Sequence, residues 1–283
     1  MCLHRDFYIY YKGDKMNKLI TKNNLQYLEN KVLKELGFQV IFTTRNGGFS
    51  DPPYDELNLG FHTDDKNSKV LKNRKKLFET LDYNPENIIF SEQIHSNKIK
   101  MVDTSYKKKG VFSYNTAVPN IDGMVSTDKS LILGGLFADC VPIYIIDKNK
   151  GYFSLVHSGW KGTFGNIITV SIGYFINNLE SKIDDLIVII GPAISKDVYE
   201  IDQNLANKFK EKFEFDQLYL TKYNDNFYLD LKELNKQLAL NYGIDNSNIY
   251  VTDYCTYKDK NLFYSYRRDE GKTGRMAALI TRN

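Results

Sequence analysis

The sequence predicts an α+β protein built from mixed sheets. Apolar runs rich in β-branched and aromatic residues recur along the chain. Some of these runs are separated by helical segments, whereas others are joined by connections as short as DKNKG at 147–151. Short connections favour antiparallel neighbours, and a helix between two strands favours a parallel pair. The mixture predicts mixed sheets and argues against a doubly wound parallel sheet.

Nine runs have the composition expected of strands. Two of them flank Asp139-Cys140, so a carboxylate and a thiol stand where one buried strand ends and the next begins. Pro142 suits a strand entrance because it donates no backbone hydrogen bond. The predicted strands are FQVIFTT (38–44), IIF (88–90), KIKMV (98–102), LILGGLF (131–137), PIYIID (142–147), YFSLVH (152–157), LIVIIG (186–191), FYLDL (227–231) and AALI (277–280).

Three segments are predicted to be helical. The first follows GWKGT and extends from about Phe164 to Leu179. The second opens at Asp202, a good N-cap residue, and continues through LANKFKEKF. The third, LKELNKQLALNYG, ends on Gly243, a typical C-terminal stop for a helix.

Length and charge restrict the class of protein further. The chain has 283 residues, 42% of them hydrophobic, which is enough for one large globular domain or two small ones. Its net charge of +3 is small for this length and argues against nucleic acid or a membrane surface as a partner. No apolar run is long enough to cross a bilayer, and the N-terminal residues lack the apolar core of a signal peptide.

Cysteine usage and the absence of repeats predict the compartment and the domain plan. Cys2, Cys140 and Cys255 are odd in number and far apart, which suits a reducing cytoplasm. The sequence contains no internal repeat and no Pro/Ser-rich linker. Met16 opens MNKLI, so we expect residues 1–16 to be an N-terminal extension and residues 17–283 to form a single domain.

Three side chains next to strand ends are candidates for a shared site: His95, Cys140 and His157. Two imidazoles and a thiolate form a three-ligand set for Zn²⁺ that leaves a fourth position for water or substrate. Alternatively, Cys140 is a nucleophile and one histidine is the base that removes its proton. Taken singly, a cysteine near apolar sequence is usually a packed hydrophobe, and a lone histidine is usually a surface or core residue.

Two neighbouring features have alternative interpretations. Asp139 is either a turn residue or a carboxylate that orients an imidazole or binds a substrate hydroxyl. The glycines of SGWKGTFGN (158–166) either let the backbone approach an anion at the start of the following helix or form a tight turn with Trp160 in the core.

Motifs along nearly the whole chain resemble those of one family. They occur in the family's order, with Ser96 where members usually have glycine. The matching segments are TTRNGGFSDPPYDELNLGFHTDD (43–65), NR (73–74), EQIHS (92–96), IDGMVST (121–127), ADCVPIYIID (138–147), VHSGWKGT (156–163), GPAIS (191–195), YE (199–200), LDL (229–231), CT (255–256) and FYSYRRDEGKTGR (263–275).

The family is the YfiH family, whose members carry the labels multicopper polyphenol oxidase (laccase), purine nucleoside phosphorylase and peptidoglycan-editing factor. The resemblance implies an α/β/β/α sandwich forming one catalytic domain. It implies that His95, Cys140 and His157 are the catalytic metal site, holding zinc, with copper also possible. It further implies phosphorolysis of adenosine, inosine, guanosine and methylthioadenosine, with deamination of adenosine. The predicted partners are small-molecule nucleosides and phosphate.

The residues themselves help to choose among these labels. A laccase needs a type-1 copper and a trinuclear cluster built almost wholly from imidazoles, and four histidines do not supply both. One zinc with an open position needs fewer ligands and suits both proposed reactions. A cysteine hydrolase acting on a peptidoglycan precursor remains the alternative, and polyphenol oxidation ranks below it.

Five residues in the matching motifs are predicted to bind substrate. Arg45 and Arg275 are either phosphate anchors or members of structural ion pairs. Asn58, Gln93 and Asp139 are predicted ribose or base contacts. Outside this set, His62 in LNLGFHTDD either borders the pocket or, as we expect, lies at the surface, and Cys255 is expected to be a buried structural thiol.

Overall fold

The structure is a computed structural model that describes residues 16–282. The predicted extension therefore lies outside the described residues except for Met16, which is buried and whose carbonyl accepts a hydrogen bond from the Lys31 N–H. The strands are β1 Asn17–Lys22, β2 Leu25–Asn30, β3 Phe38–Thr43, β4 Ile88–Phe90, β5 Ile99–Met101, β6 Gly123–Ser126, β7 Ile132–Phe137, β8 Val141–Asp147, β9 Phe153–Ser158, β10 Leu186–Ile190, β11 Glu200–Ile201, β12 Leu220–Tyr223, β13 Asn226–Leu229, β14 Ile249–Val251 and β15 Met276–Arg282.

The helices pack outside these strands and follow ordinary capping chemistry. Asp202 and Asp230 each accept a hydrogen bond from a first-turn backbone N–H, and Gly243 ends the last helix in the left-handed conformation. The helices are α1 Lys31–Glu35, α2 Asn67–Leu81, α3 Trp160–Phe164, α4 Ile167–Asn177, α5 Gln203–Lys212, α6 Asp216–Tyr219 and α7 Leu231–Tyr242.

Two six-stranded mixed sheets form the centre of the fold. The first has the order β1-β2-β3-β15-β7-β4 and is antiparallel except where β4 pairs with β7. The second has the order β14-β10-β8-β9-β6-β5, with parallel pairs at its two edges and antiparallel pairs between them. A small third sheet, β11-β13-β12, lies beside α5 and α6.

Strand periodicity explains why both faces of each large sheet are covered. In β8, Tyr144 and Ile146 point into a core shared with the first sheet, whereas Ile143 and Ile145 point into a second core beneath α4 and α7. Successive side chains of a strand alternate between faces, so a strand that is apolar at every position requires a layer on each side.

The first sheet obeys the same rule. In β3, Phe42 packs between the sheets and Ile41 packs beneath α2 with Leu77 and Phe78. The layers are therefore helix, sheet, sheet and helix. This confirms both the α+β class with mixed sheets and the α/β/β/α sandwich that the resemblance implied.

The observed elements differ from the predicted ones in a few places. All nine predicted strands are present, with ends displaced by one or two residues. The first predicted helix is divided in two by Gly165 and Asn166, and Asn166 has a positive φ of 61°. The elements that the sequence did not predict are α1, α2, α6, β1, β2, β6, β11, β12 and β14. Within residues 16–282, every helix is too short or too polar to span a bilayer.

Arg74 of α2 is a fully buried cation that ties three segments together. Its Nε donates to the Leu59 carbonyl at 2.8 Å, and its Nη1 donates to the carbonyls of Gly110 and Val111 at 2.5 and 3.0 Å. The guanidinium also lies over the ring of Phe90, 4.3 Å from its centroid. These contacts fix the loop after β3 against the chain that follows β4.

We predict that Arg74→Met lowers the free energy of unfolding by about 3 kcal/mol, because three buried carbonyls lose their charged donor. Urea denaturation followed by circular dichroism measures the change. The matched control is Lys72→Met on the exposed face of the same helix, which should stay within about 0.5 kcal/mol. Equal stability of the two variants would contradict this role for Arg74.

Candidate metal centre

The candidate site lies at one end of the sandwich, where the chain crosses between the two sheets. Cys140 follows the corner from β7 in the first sheet to β8 in the second. His95 lies on the segment from β4 in the first sheet to β5 in the second. His157 is near the end of β9, where its Cα pairs with that of Pro142 in β8. Two crossings and one strand end thus bring three distant residues together.

The ligand atoms of His95, Cys140 and His157 all lie within 4.8 Å of one another. The two imidazoles meet edge to face with ring centroids 4.8 Å apart. His157 is buried, Cys140 is partly buried and His95 is exposed. A Cβ added at Gly159 would lie 2.8 Å from the Cys140 Sγ and 3.0 Å from the His95 Cδ2, so glycine is needed there for close approach.

One buried carboxylate, Asp122, holds both histidine segments. Its Oδ1 lies 2.8 Å from the His157 Nδ1 and accepts a 2.9 Å hydrogen bond from the His95 backbone N–H. Its Oδ2 accepts from the backbone N–H and hydroxyl of Ser96 at 2.6 and 2.8 Å. With Nδ1 engaged by Asp122, His157 presents its other ring nitrogen to the ligand set, and His95 is held in a left-handed conformation with φ of 61°.

The charged forms of Cys140, His157 and Asp122 stabilise one another. Burial alone would raise the pKa of the Cys140 thiol, but the two neighbouring imidazoles outweigh it and lower that pKa to about 6. Burial opposes protonation of His157, yet the Cys140 thiolate and the Asp122 carboxylate raise its pKa to about 9. Burial likewise disfavours the charged form of Asp122, but hydrogen bonds from His157 and Ser96 keep its pKa below the usual value.

The donor set fits a metal ion. A thiolate and two imidazoles are ligands for zinc or copper, and three protein ligands leave a coordination position open. Ligand atoms around a four-coordinate Zn²⁺ lie about 3.5 Å apart, so small side-chain rotations complete the set. Within residues 16–282, this is the one cluster of His, Cys, Asp and Glu side chains with such geometry, and His4 lies outside that range.

Asp139 forms the corner between the sheets and does not contact either imidazole. It has a positive φ of 86°, and its carboxylate accepts hydrogen bonds from the Thr256 hydroxyl at 2.7 Å, the Ser265 hydroxyl at 3.0 Å and the Arg267 backbone N–H at 2.7 Å. Burial raises the pKa of Asp139 even though these donors oppose the shift. Asp139 thus joins the Cys140 corner to the loop that contains Arg267.

The side chains of Gln93 and Arg275 reach the cavity above the ligand set, but much of their hydrogen bonding is internal. Gln93 accepts from the Leu136 N–H at 2.7 Å and donates to the Leu136 carbonyl at 2.9 Å, which fastens the His95 segment to β7. Arg275 donates from Nη1 to the carbonyls of Thr273 and Gly274.

The structure does not bring Arg45 or Asn58 into the cavity. Arg45 pairs with Asp55, with an Nη2–Oδ2 distance of 3.2 Å, in agreement with the ion-pair interpretation. Asn58 is fully buried and accepts a 3.0 Å hydrogen bond from the Arg275 backbone N–H. It therefore stabilises the cavity wall from behind. Cys255 is buried, as expected, and its sulfur accepts hydrogen bonds from Ser195.

The cavity has a volume of about 490 Å³ and combines aromatic, cationic and metal-binding side chains. His62 is exposed, as expected, and its side chain also lines this cavity. Most of the residues that line the cavity, and also Asp122, were not predicted from the sequence. The wall is formed by His62, Ser91, Gln93, His95, Tyr114, Leu136, Ala138, Asp139, Cys140, His157, Trp160, Lys161, Ile194, Tyr199, Leu231, Tyr266, Arg267 and Arg275.

The fold and the cavity define a class of protein: an α/β/β/α sandwich with a His/Cys/His ligand set at one end. A family model described as multi-copper polyphenol oxidoreductase laccase matches residues 39–283, and the chain belongs to that family. Two solved structures share the fold. The hypothetical protein YfiH of Bacillus licheniformis has a TM-score of 0.87 at 35% identity, covering 92% of this chain and 97% of that one. YlmD of Geobacillus stearothermophilus has a TM-score of 0.88 at 33% identity, covering 99% and 100%.

Curated relatives carry a different name from the family. The purine nucleoside phosphorylase YlmD of Bacillus subtilis is 35% identical over 240 residues, covering 84% of this chain and 86% of the relative. The protein of the same name in Geobacillus stearothermophilus is 36% identical over 242 residues, covering 85% and 88%. These findings confirm the family resemblance seen in the sequence, and they join an oxidoreductase family description to relatives named as phosphorylases.

We predict that Asp122→Asn weakens zinc binding about 10- to 100-fold, because the amide cannot accept all the hydrogen bonds that hold the two histidine segments. Competition with a chromophoric chelator measures the affinity. Asp103→Asn is the matched control, since Asp103 is exposed and accepts hydrogen bonds within its own turn. An affinity unchanged by Asp122→Asn would show that the carboxylate does not position the ligands.

We also predict an unusual pH profile for alkylation of Cys140 by iodoacetamide in metal-free protein. Since the thiolate is the reactive form, the rate should stay high above about pH 7 and fall by half near pH 6 as the sulfur is protonated. An ordinary thiol would lose half its rate near pH 8.5. In His157→Gln the midpoint should move upward, because burial then acts with less opposition. Mass spectrometry of the peptide containing Cys140 gives the rate, and a wild-type midpoint above pH 8 would contradict the pairing.

Proposed function

We propose that this protein is a zinc-dependent purine nucleoside phosphorylase that also deaminates adenosine. The observation that carries the proposal is the convergence of His95, Cys140 and His157 in one cavity. The names of the relatives and the cavity's aromatic and cationic wall support it. The proposed substrates are adenosine, inosine, guanosine and methylthioadenosine, and the free thiols of Cys140 and Cys255 suit the cytoplasm as the proposed compartment.

The side chains that would hold the ion are His95, Cys140 and His157. A zinc ion bound there supplies a Lewis acid and an activated water within reach of the substrate. The protein's own contribution is to keep the His157 ring oriented through Asp122 and to close one side of the site with the buried β9 strand.

The wall above the ligand set suits a nucleoside and an anion. Trp160, Tyr199 and Tyr266 offer aromatic surface against which a purine ring stacks. Arg267 and Arg275 add positive charge, and the one carboxylate of the wall, Asp139, already accepts three internal hydrogen bonds. The cavity therefore favours a ligand that carries negative charge.

Each of the two proposed reactions can be written as a balanced step, with the bonds that form and break as follows. In phosphorolysis, a phosphate oxygen bonds to C1′ while the C1′–N9 bond breaks, and the base leaves with the electron pair and takes up a proton. The wall must then stabilise negative charge moving from phosphate to base. In deamination, a water oxygen adds to C6 of adenine and the amino group leaves as ammonia after gaining a proton.

We expect purified, zinc-loaded protein to convert inosine and phosphate into hypoxanthine and ribose 1-phosphate, and adenosine into inosine and ammonia. Chromatography of the bases and the amount of inorganic phosphate consumed measure the products. Cys140→Ser and His157→Gln should each reduce the rate at least 100-fold, since both would lose the ion. Omitting phosphate is the control for hydrolysis. Zinc-loaded protein that shows no phosphate-dependent cleavage would refute the proposal.

A cysteine hydrolase is the second candidate, and one geometric observation favours it. Cys140, His157 and Asp122 form a thiol–imidazole–carboxylate series, in which the imidazole is hydrogen-bonded to Asp122 and lies within 4.8 Å of the Cys140 sulfur. This is the arrangement that activates a cysteine nucleophile. The substrate in that case would contain an amide-type bond, as in a peptidoglycan precursor.

Zinc protection separates the two candidates. If Cys140 is a metal ligand, zinc should slow its alkylation by iodoacetamide at least tenfold, and a chelator should restore the rate. If Cys140 is a free nucleophile, the rate is the same with and without zinc. The comparison uses one protein at one pH, so no variant is needed.

A further inference from the structure

His62 is the histidine of the cavity that the metal ligand set does not use. It lies on the loop between β3 and α2, and its accessible side chain lines the cavity wall. Its ring packs against Tyr114, with the two centroids 5.7 Å apart. Across residues 16–282, neither nitrogen of this ring has a hydrogen-bond partner, so both are available to a ligand that enters the cavity.

Asn58 fixes His62 and Arg275 as a pair. Its Oδ1 accepts hydrogen bonds from the backbone N–H groups of Gly60 and Arg275, at 3.1 and 3.0 Å. Its Nδ2 donates to the Thr63 hydroxyl at 2.9 Å, directly after His62. A Cβ on Gly60 would lie 2.8 Å from the Arg275 Cγ and 3.4 Å from the His62 Cε1, so the two side chains approach each other across this glycine.

Arg275 turns its charge toward the metal centre. Its Nη1 is held by the carbonyls of Thr273 and Gly274, at 2.8 and 2.9 Å, and its guanidinium lies 5.6 Å from the Tyr266 ring centroid. The charge on Cys140 acts on Arg275 across the cavity. Over the described part of the chain, no carboxylate forms an ion pair with Arg275, so Nε and Nη2 remain available for a ligand.

The surroundings of His62 keep its ring neutral. The charged and titratable groups that act on it are Arg275, Arg74, His157 and His95, and none of them is a carboxylate. Desolvation by the surrounding cavity wall and these positive charges hold the pKa of His62 below its ordinary value. A neutral imidazole offers one N–H donor, and beside it stands an unpaired guanidinium. Donors of these two kinds, in the wall of one cavity, match a tetrahedral oxyanion.

We propose that His62 and Arg275 bind the inorganic phosphate co-substrate, with His62 as the hydrogen-bond donor and Arg275 as the charge. This assignment rests on the proposed phosphorylase function. It seats the phosphate against the loop 58–63 and not at the glycine-rich turn 158–166, which the sequence had offered as an anion site. The nucleoside then occupies the part of the cavity lined by Trp160 and Tyr199.

The kinetic test separates phosphate from nucleoside binding. In His62→Ala, the KM for phosphate at saturating inosine should rise about 10- to 100-fold, as for loss of a hydrogen bond to a charged group. The KM for inosine at saturating phosphate should stay within about twofold. His62→Asn, which retains an N–H donor, should recover part of the phosphate affinity, whereas a purely structural role predicts no such recovery. Arg275→Lys, which keeps the charge but loses the fork, should also raise the KM for phosphate.

Two controls make the outcome decisive. Zinc content and the urea midpoint of each variant should match the wild type, and Lys72→Met on the exposed face of α2 should leave both KM values unchanged. If Lys161→Met, at another part of the cavity wall, raises the KM for phosphate while His62→Ala does not, the subsite is wrongly assigned. Equal increases in both KM values would also overturn the inference.

Calorimetric titration with inorganic phosphate alone distinguishes this inference from the proposed function. Phosphate binding that is lost in His62→Ala, in protein that cleaves no nucleoside, would support the subsite and refute the phosphorylase. Active wild-type enzyme whose phosphate affinity is the same in His62→Ala would leave the function standing and refute the subsite.

Discussion

The site depends on the hydrogen bonds that the Asp122 carboxylate accepts. Three backbone N–H groups at positions 94–96 and the His157 ring converge on its two oxygens. These hydrogen bonds connect the segment after β4 to the end of strand β9. The Asp122 carboxylate therefore positions both imidazoles. Asp122 itself is buried at the start of β6, where the sheet ladder limits its movement. Without that anchor, nothing in these bonds would hold the backbone of His95 in place beside His157.

The sandwich architecture explains why the ligands come from such distant positions. A chain that passes from one sheet to the other must do so at an end of the sandwich, and two crossings at the same end form facing walls. Asp139 turns the second crossing in a left-handed conformation, and its carboxylate fixes the loop that carries Arg267. The residues that form the crossings between the two sheets therefore also line the cavity. In such a protein, the functional side chains lie in the corners and loops, and the sheets hold these segments in position.

The sequence predicted the interior better than the edges. Strands buried on both faces, such as LIVII at 186–190, have continuous apolar runs and were found within two residues. The helix α2 was missed because its interior is rich in Lys and Asn, and its buried face includes the polar Asn73 and Arg74. The edge strand β1 was missed because its six residues, NKLITK, contain only two apolar side chains and these are adjacent. Edge strands need only one covered face, so their pattern is weak.

The three candidate metal ligands were recognisable from residue type and motif, whereas the group that positions them was not. A histidine ligand commonly donates its second ring nitrogen to a carboxylate, and IDGMVST contained one, but only the fold shows that Asp122 and His157 meet. The exposure of His95 affects how a metal ion would reach the three candidate ligands. Because this ligand lies on the solvent side while His157 is buried, an ion can enter or leave by displacing one imidazole, without opening either sheet. A metal ion held by these three residues would therefore exchange with the cellular pool, and metal supply would then select between zinc and copper.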